Sequence, residues 1–213
     1  MSSLTVFLVG TVIVLSVLLV LVLVAFIRTR RALVRICHRY GIVARKRDLY
    51  KDKSLRDGLT GAYNAGAIRE LIQQQMNDPV SGGGAFVMLD VDFFKQVNDE
   101  LGHETGDLVL KTMVESMKDI VREGDMIGRL GGDEFCVFLP GMLDQGGLNH
   151  FCERLTNVVK EKLDSSHLGR DVTVSVGGVM VSGASEFSDL YNRADKALYE
   201  AKDKGRNTCC VIA

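Results

Sequence analysis

Two pairs of carboxylates carry the clearest chemical signal in this sequence. Asp90 and Asp92 follow the apolar run 85–89, which is typical of a buried central strand. Asp133 and Glu134 follow two glycines in a turn between two other short apolar runs. If these strands pair, the two groups of carboxylates lie close together. Asp90 and Asp92 also share one face, provided that the strand continues through the residue between them.

Such a group of oxygen ligands suits a hard divalent cation. Magnesium is usually held by one or two carboxylates together with substrate phosphates, rather than by a complete protein cage. A metal held in this way neutralises phosphate charge and lowers the pKa of an attacking hydroxyl. The pattern therefore indicates phosphoryl transfer, in which the protein supplies mainly position and electrostatics. The simpler alternative is that Asp133 and Glu134 only solvate a turn, because Gly and Asp favour turns.

Other polar residues could bind a nucleotide beside this cluster. Lys95 follows the first carboxylate by five residues, and Lys202 and Arg206 are four residues apart near the end of the chain. These two cations share one helical face if the last helix reaches that far. Asn98 and Asp107 could accept hydrogen bonds from the amino and imino groups of a purine. Each residue also has a structural alternative: a solvated cation, a helix cap or an acid in a first helical turn.

The N-terminal segment is typical of a membrane anchor. Residues 4–27 contain no charged side chain, and at about 1.5 Å per residue they form roughly 36 Å of helix, enough to cross a bilayer. A cleavable signal peptide fits less well, because no basic residue precedes the run and no small-residue cleavage site follows it. Four arginines follow the run between residues 28 and 35. This asymmetry predicts a single-pass protein of the inner (cytoplasmic) membrane with its main domain in the cytoplasm.

The charge distribution separates a linker from a globular domain. We expect an anchor at 1–27, a basic helical linker at 28–56 and a domain at 57–213. The linker contains 11 Lys or Arg and two Asp, a net charge of +9, so the domain carries about −10. A long nucleic acid needs a basic track, so it is not an expected partner, whereas a small nucleotide with a metal is compatible. The linker's apolar spacing fits either a single amphipathic helix or a marginal parallel coiled coil.

The hydrophobic pattern also predicts the elements of the domain. Helices are expected at 64–77, 105–121, 144–163 and 188–202, and strands at 85–89, 127–130, 135–139, 172–180 and 208–212. Because helices and strands alternate irregularly around one hairpin, an α/β or α+β fold with a mixed sheet is expected. The Gly-Gly-Asp turn of this hairpin should need backbone angles that favour glycine.

Five motifs in the domain occur in the same order as in a known family. They are 90–99 (DVDFFKQVND), 101–107 (LGHETGD), 129–135 (RLGGDEF), 174–177 (VSVG) and 195–206 (DKALYEAKDKGR). Together they resemble the GGDEF family of diguanylate cyclases over about residues 57–213. The resemblance implies a palm-like nucleotide-cyclase fold with a central mixed sheet, here preceded by one transmembrane helix.

The resemblance also implies a reaction. Two GTP molecules would condense to cyclic di-GMP and pyrophosphate on a homodimer, in which each chain presents one GTP. By position, Asp90 and Asp133 would hold Mg²⁺, with Mn²⁺ as an alternative, assisted by the carbonyl of Val91 and by Glu134. Asp133 would also help to activate the attacking 3'-hydroxyl.

The remaining site residues follow from the same alignment of motifs. Asn98 and Asp107 would bind guanine, and Lys95, Lys202 and Arg206 would hold the triphosphate. These roles agree with the chemistry that the residue types suggest.

A short motif before the hairpin suggests regulation. Residues 122–125 (REGD) resemble the family's RxxD inhibitory site, and five residues separate this motif from Gly131. Arg122 and Asp125 would therefore bind the product, cyclic di-GMP, and inhibit synthesis.

One departure and one alternative stay open. The family commonly has two arginines at positions occupied here by Ala65 and Gly66. Their loss affects contacts at the entrance of the domain. It does not change any of the metal-binding or base-binding positions. The alternative is a non-catalytic receptor for GTP or cyclic di-GMP that signals through the membrane-proximal helix, although the intact carboxylates argue against it.

Overall fold

The computed structural model describes residues 55–77, 83–181 and 186–212. The predicted anchor and nearly all of the predicted linker, with its heptad-like pattern, lie outside these residues. No helix among the described residues is both long and apolar enough to cross a membrane. The compact unit that contains the described residues extends from Lys53 to Ala213.

Among the described residues, five strands form one sheet of order β2-β3-β1-β4-β5. The strands are β1 (Gly84–Val91), β2 (Met126–Arg129), β3 (Glu134–Pro140), β4 (Val174–Val181) and β5 (Cys209–Ile212). β1 is antiparallel to β3 and to β4, and β4 is parallel to β5. The predictions of a mixed sheet and of a central strand at 85–89 are confirmed.

The described ranges contain five helices. They are α1 (Ala65–Asn77), α2 (Phe94–Leu101), α3 (His103–Lys118), α4 (Gln145–Ser165) and α5 (Phe187–Asp203). Four of them match the predicted helices, with ends that differ by up to three residues. The hydrophobic pattern did not predict α2, because this eight-residue helix buries only Val97 and therefore gives almost no periodic signal.

The two faces of the sheet explain where the first carboxylate lies. Alternate residues of β1 point to opposite faces. Ala85, Val87 and Leu89 share a core with α3 and α4, whereas Phe86 and Met88 share another core with α1 and α5. Asp90 is the next residue in the Phe86–Met88 row. It therefore lies where the apolar core under α1 and α5 ends.

The start of α1 contains the departure from the family pattern. Asn64 caps this helix, since its Oδ1 accepts a hydrogen bond from the backbone N–H of Ala67 at 3.0 Å. A Cβ at Gly66 would lie 3.5 Å from this Oδ1, an ordinary van der Waals distance. The structure therefore has room for a methyl group at Gly66.

We expect Gly66→Ala to stabilise the protein by about 0.5–1 kcal/mol, because alanine loses less backbone entropy than glycine when a helix forms. Urea denaturation of the purified protein measures the change. Gly61→Ala is the matched control: Gly61 has φ +73°, so alanine there should be strained and destabilising. Equal changes in both variants would contradict the prediction.

Candidate active site

The two predicted carboxylate groups meet across the β1–β3 pair. Asp90 is directly opposite Glu134 in this antiparallel register. Opposite side chains lie on the same face, with Cβ atoms about 5 Å apart. Asp133 precedes Glu134 in the hairpin connection and is half-buried. Val91 ends β1 with its side chain buried, so only its backbone carbonyl could reach a ligand.

The hairpin turn does not have the expected backbone. Neither Gly131 nor Gly132 has a positive φ, so the prediction that this turn needs glycine angles is wrong. The reason is that four residues, 130–133, connect the strands, and longer connections are usually built on turns open to all residues. A Cβ at Gly131 would lie 3.1 Å from Oε2 of Glu134, so the end of this side chain would have to shift by a few tenths of an ångström.

Arg129 holds this connection from inside the hairpin. Its Nε donates to the carbonyls of Gly131 at 3.2 Å and Gly132 at 3.1 Å, and its Nη2 donates to Gly132 at 2.6 Å. Its Nη1 donates to Oδ1 of Asp57 at 3.0 Å. Arg129 is part of the hairpin motif in the sequence, but its role could not be predicted there, because the sequence does not show which groups an arginine beside a turn will contact.

Asp57 is held as an anion at the start of the domain. Burial opposes its ionisation, but hydrogen bonds from Thr60 and Arg129 outweigh burial and lower its pKa below the ordinary value of 3.8. Thr60 donates to it twice, from its backbone N–H at 2.9 Å and its hydroxyl at 2.7 Å. The hairpin is therefore tied to the first turn of the domain.

Arg129→Gln should lower the free energy of unfolding by about 1–3 kcal/mol, because it removes a charged hydrogen bond and the bonds to two carbonyls. Asp57 has a lowered pKa, so the stability it adds is full above pH 3.8 and is lost as the pH falls through its folded pKa. The effect of the variant should shrink in the same range. Urea denaturation at several pH values, with hydrogen exchange at residues 130–134, measures it. A loss that stays constant down to strongly acidic pH would contradict the role of Asp57.

Lys202 of α5 forms an ion pair with Asp90, the first of these carboxylates. Its Nζ lies 3.0 Å from Oδ1 of Asp90, and the two side chains are 30% and 13% exposed. Burial is the main cause of a raised pKa of Asp90; Lys202 opposes it, and the charges of Asp133 and Glu134 add to it. α5 can approach the sheet closely at Gly177, where a Cβ would lie 2.5 Å from the carbonyl oxygen of Ala194.

Without divalent cations, Asp90→Asn should be more stable than the wild type at neutral pH. A raised carboxyl pKa means that the folded protein holds the proton more tightly than the unfolded chain, so stability is lost as the pH rises through the folded pKa. The advantage of the variant should therefore disappear at acidic pH. Urea denaturation in a chelating buffer tests this, with Glu161→Gln, exposed on α4, as the control. A less stable variant at neutral pH would show that the Lys202 pair outweighs burial.

Asp92, unlike Asp90, is buried and accepts hydrogen bonds that hold neighbouring segments together. It is only 4% exposed and accepts hydrogen bonds from the hydroxyls of Thr173 at 2.6 Å and Ser175 at 2.7 Å. The backbone N–H of Asn207 donates to it at 3.1 Å. Asp92 therefore ties the end of β1 to β4 and to the loop after α5.

Arg206 belongs to this loop and not to α5. The helix ends at Asp203, and Gly205 and Arg206 have φ of +109° and +66°, so the expectation that Lys202 and Arg206 share a helical face is wrong. Left-handed backbone angles end the helix before Arg206. The guanidinium carbon of Arg206 instead lies 4.6 Å from the ring centroid of Phe93, which is 51% exposed.

The predicted base-binding residues lie on α2 and α3. Lys95 is exposed in the first turn of α2. Farther along α2, Asn98 lies against Gly106 of α3 so closely that a Cβ at Gly106 would overlap with its Oδ1. Asp107, the next residue of α3, is exposed. The structure thus places Asn98 against α3 at the residue directly before Asp107.

A comparison with protein families identifies this arrangement. The GGDEF family, described as "Diguanylate cyclase, GGDEF domain", matches residues 54–208. The chain belongs to the GGDEF family.

Relatives of the GGDEF domain include named cyclases. Diguanylate cyclase DgcS of Shewanella oneidensis is 34% identical over 167 residues, which are 74% of this chain and 54% of DgcS. The chain thus spans about half the length of DgcS. Diguanylate cyclase SiaD of Pseudomonas aeruginosa, solved with its activator SiaC, has a TM-score of 0.72 at 35% identity, covering 87% of this chain and 73% of SiaD.

A second solved structure is that of a GGDEF domain with a bound ligand. The GGDEF domain of DgcB from Caulobacter crescentus, in complex with c-di-GMP, has a TM-score of 0.67 at 27% identity, covering 74% of this chain and 93% of that domain. The expected palm-like fold is confirmed by these similarities.

The carboxylates of the GGDEF domain suit a metal that is bound together with a substrate. Within the described ranges, no three Asp, Glu, His or Cys side chains form a ready-made metal site. However, Asp90 faces Glu134 across two strands, and its raised pKa reflects in part the negative charge of Asp133 and Glu134. A divalent cation would relieve this repulsion. The donor set fits Mg²⁺ that takes its other ligands from phosphate and water.

The RxxD motif of the GGDEF domain forms a turn beside a cavity of about 350 Å³. The cavity is lined by Gln75, Arg122, Glu123, Gly124, Asp125 and Pro140. The backbone N–H of Arg122 donates to Asp125 at 2.9 Å, and its Nη2 donates to the carbonyl of Pro140 at 2.6 Å. Asp125 is nearly buried and Arg122 is exposed, so the turn presents a guanidinium to the solvent.

Proposed function

We propose that this chain is a diguanylate cyclase, which condenses two GTP molecules into cyclic di-GMP and pyrophosphate. The observation that carries the proposal is the position of Asp90 opposite Glu134 in the GGDEF hairpin, with Lys202 in contact with Asp90. Membership of the GGDEF family and similarity to named diguanylate cyclases support it.

The carboxylates would hold the metal and handle the proton. Asp90, Asp133, Glu134 and the carbonyl of Val91 would bind Mg²⁺ or Mn²⁺, which when bound neutralises phosphate charge and lowers the pKa of a hydroxyl. Asp133 would orient the 3'-hydroxyl of GTP and accept its proton. Its place in the hairpin connection, half-buried, leaves it accessible to substrate.

The cations and the helix crossing would bind GTP. Lys202 and Arg206 lie on either side of the end of α5, and Lys95 lies at the start of α2, where a helix N-terminus also favours phosphate. Asn98 and Asp107 would pair with the amino and imino groups of guanine, which fits the contact of Asn98 with Gly106, the residue before Asp107.

The product requires a homodimer. Each of its two new phosphodiester bonds forms when the 3'-hydroxyl of one GTP attacks the α-phosphorus of the other, and each attack releases one pyrophosphate. One GGDEF domain positions one GTP. Two domains must therefore face each other.

Two further proposals concern regulation and location. Cyclic di-GMP would bind at Arg122 and Asp125 and inhibit synthesis, which fits the exposed guanidinium beside a cavity. Residues 4–27 would anchor the protein in the inner membrane with the GGDEF domain in the cytoplasm, because uncharged residues are followed by arginines.

Product analysis tests the main proposal. The purified full chain, and a version whose residues 1–52 are replaced by a dimeric coiled coil, are incubated with GTP and Mg²⁺. Chromatography with mass spectrometry should detect cyclic di-GMP, and a chelator should abolish it. Nucleotide binding by calorimetry without any product, in both forms, would overturn catalysis and favour the receptor function.

A further inference from the structure

We propose that Lys202 is an internal counter-ion: it pairs with Asp90 in the metal-free protein and thereby weakens the binding of a divalent cation. Nucleotide phosphates would bind Lys202 in place of Asp90 and so free this carboxylate for the metal. Metal and GTP would therefore bind cooperatively. This inference rests on the proposed function, since it assumes that GTP and a divalent cation share this site.

Lys202 forms an ion pair with the first carboxylate, Asp90. Asp90 is only 13% exposed, so water solvates its charge poorly, and Nζ of Lys202 lies 3.0 Å from its Oδ1. Among the described residues, Asp133 and Glu134 also act on Asp90, and both are acidic. Lys202 is thus the cation that compensates this carboxylate in the metal-free protein.

Lys202 and a metal would compete for the same oxygen. Mg²⁺ binds carboxylate oxygens at about 2.0–2.1 Å, so an ammonium already at Oδ1 would repel it at close range. A lysine side chain is a compact charge on a flexible stem, and it can move without unfolding the helix. Lys202 is 30% exposed, so it has solvent into which to move.

A nucleotide would change this balance. Its phosphates offer Lys202 a new set of anionic oxygens, and they give the metal further ligands. The metal and the nucleotide each favour the state in which Lys202 is away from Asp90. Each should therefore increase the affinity for the other by the same factor. A lysine that only binds phosphate would predict a different result, because its removal would leave the affinity for metal alone unchanged.

The chain offers a matched control two residues away. Lys204 is the C-cap of the same helix, and its Nζ contacts Sγ of Cys210 at 3.4 Å. Lys204→Met removes the same charge from the same helix end, so it reports the general electrostatic effect. Lys202→Met removes that charge together with the contact to Asp90.

The experiment measures Mn²⁺ binding to the full chain by electron paramagnetic resonance, first without nucleotide. Lys202→Met should bind Mn²⁺ at least about tenfold more tightly than the wild type, because a like charge next to the metal is gone. Lys204→Met should resemble the wild type. Lys202→Gln repeats the test with a different side chain, and Asp90→Asn should abolish the tighter binding when combined with either variant.

The second part adds the α,β-methylene analogue of GTP, which cannot react at the α-phosphorus. The analogue should strengthen Mn²⁺ binding much more in the wild type than in Lys202→Met. Unchanged Mn²⁺ affinity in both Lys202 variants without nucleotide would overturn the inference. If those variants bind Mn²⁺ more tightly but the wild type makes no cyclic di-GMP, the proposed function fails and the counter-ion role stands.

Discussion

Replacing Asp133 with asparagine should lower the rate of cyclic di-GMP formation by at least about 10²- to 10³-fold, the cost of removing one group that stabilises charge in a transition state. Asparagine has nearly the same shape but lacks the charge that would hold the metal and accept the hydroxyl proton. Asp133 is half-buried in the hairpin connection, so the fold should tolerate the change. Initial rates with GTP and Mg²⁺ measure the effect.

Two comparison variants make this result specific. Glu161→Gln removes an exposed carboxylate on α4, which packs on the opposite face of the sheet, and should leave the rate unchanged. Glu134→Gln should lower the rate, because Glu134 faces Asp90 across the strands. If Asp133→Asn keeps more than about a tenth of the wild-type rate, Asp133 is not the residue that activates the hydroxyl.

Asp92→Ala should destabilise the protein by about 3 kcal/mol or more, because it leaves two hydroxyls and one backbone N–H without their acceptor in a buried place. The free energy of unfolding of a native protein is only about 5–15 kcal/mol, so this loss is a large fraction of the total stability. The loop that carries Arg206 and Asn207 should also loosen. Urea denaturation and hydrogen exchange at residues 204–208 measure the two effects.

A control and a graded variant accompany this prediction. Asp99→Asn changes an exposed acid on α2 and should leave stability unchanged. Asp92→Asn keeps the shape and one acceptor oxygen, so its loss should be smaller than that of alanine. An Asp92→Ala protein as stable as the wild type would show that the three hydrogen bonds do not hold the site together.

Much of the fold could be predicted from local pattern. A strand buried on both faces must be apolar at nearly every position, so 85–89 identified the central strand. Amphipathic periodicity likewise identified α1, α4 and α5, whose buried faces recur every three to four residues. The short α2 buries one residue, so this signal could not find it.

The candidate site divides in the same way. Residue type and spacing along the chain were enough to place carboxylates beside cations, because adjacent strands and helix ends bring local motifs to one edge of a sheet. That pattern did not show that Asp90 lies in the candidate metal site whereas Asp92, two residues later, is buried and hydrogen-bonded. Asp92 receives one of its hydrogen bonds from Ser175, 83 residues later, and Arg129 donates to Asp57, 72 residues earlier.

The sequence thus determined which chemistry this chain can attempt, since charge, oxygen ligands and apolar periodicity are properties of the residues themselves. The tertiary structure decided which acid remains available and which becomes structural. It also decided that Arg129, and not glycine backbone angles, holds the hairpin connection, and that Lys202 forms an ion pair with Asp90. These outcomes depend on strand register and on contacts between distant segments. No local pattern encodes them, because each requires two elements to pack before its partners meet.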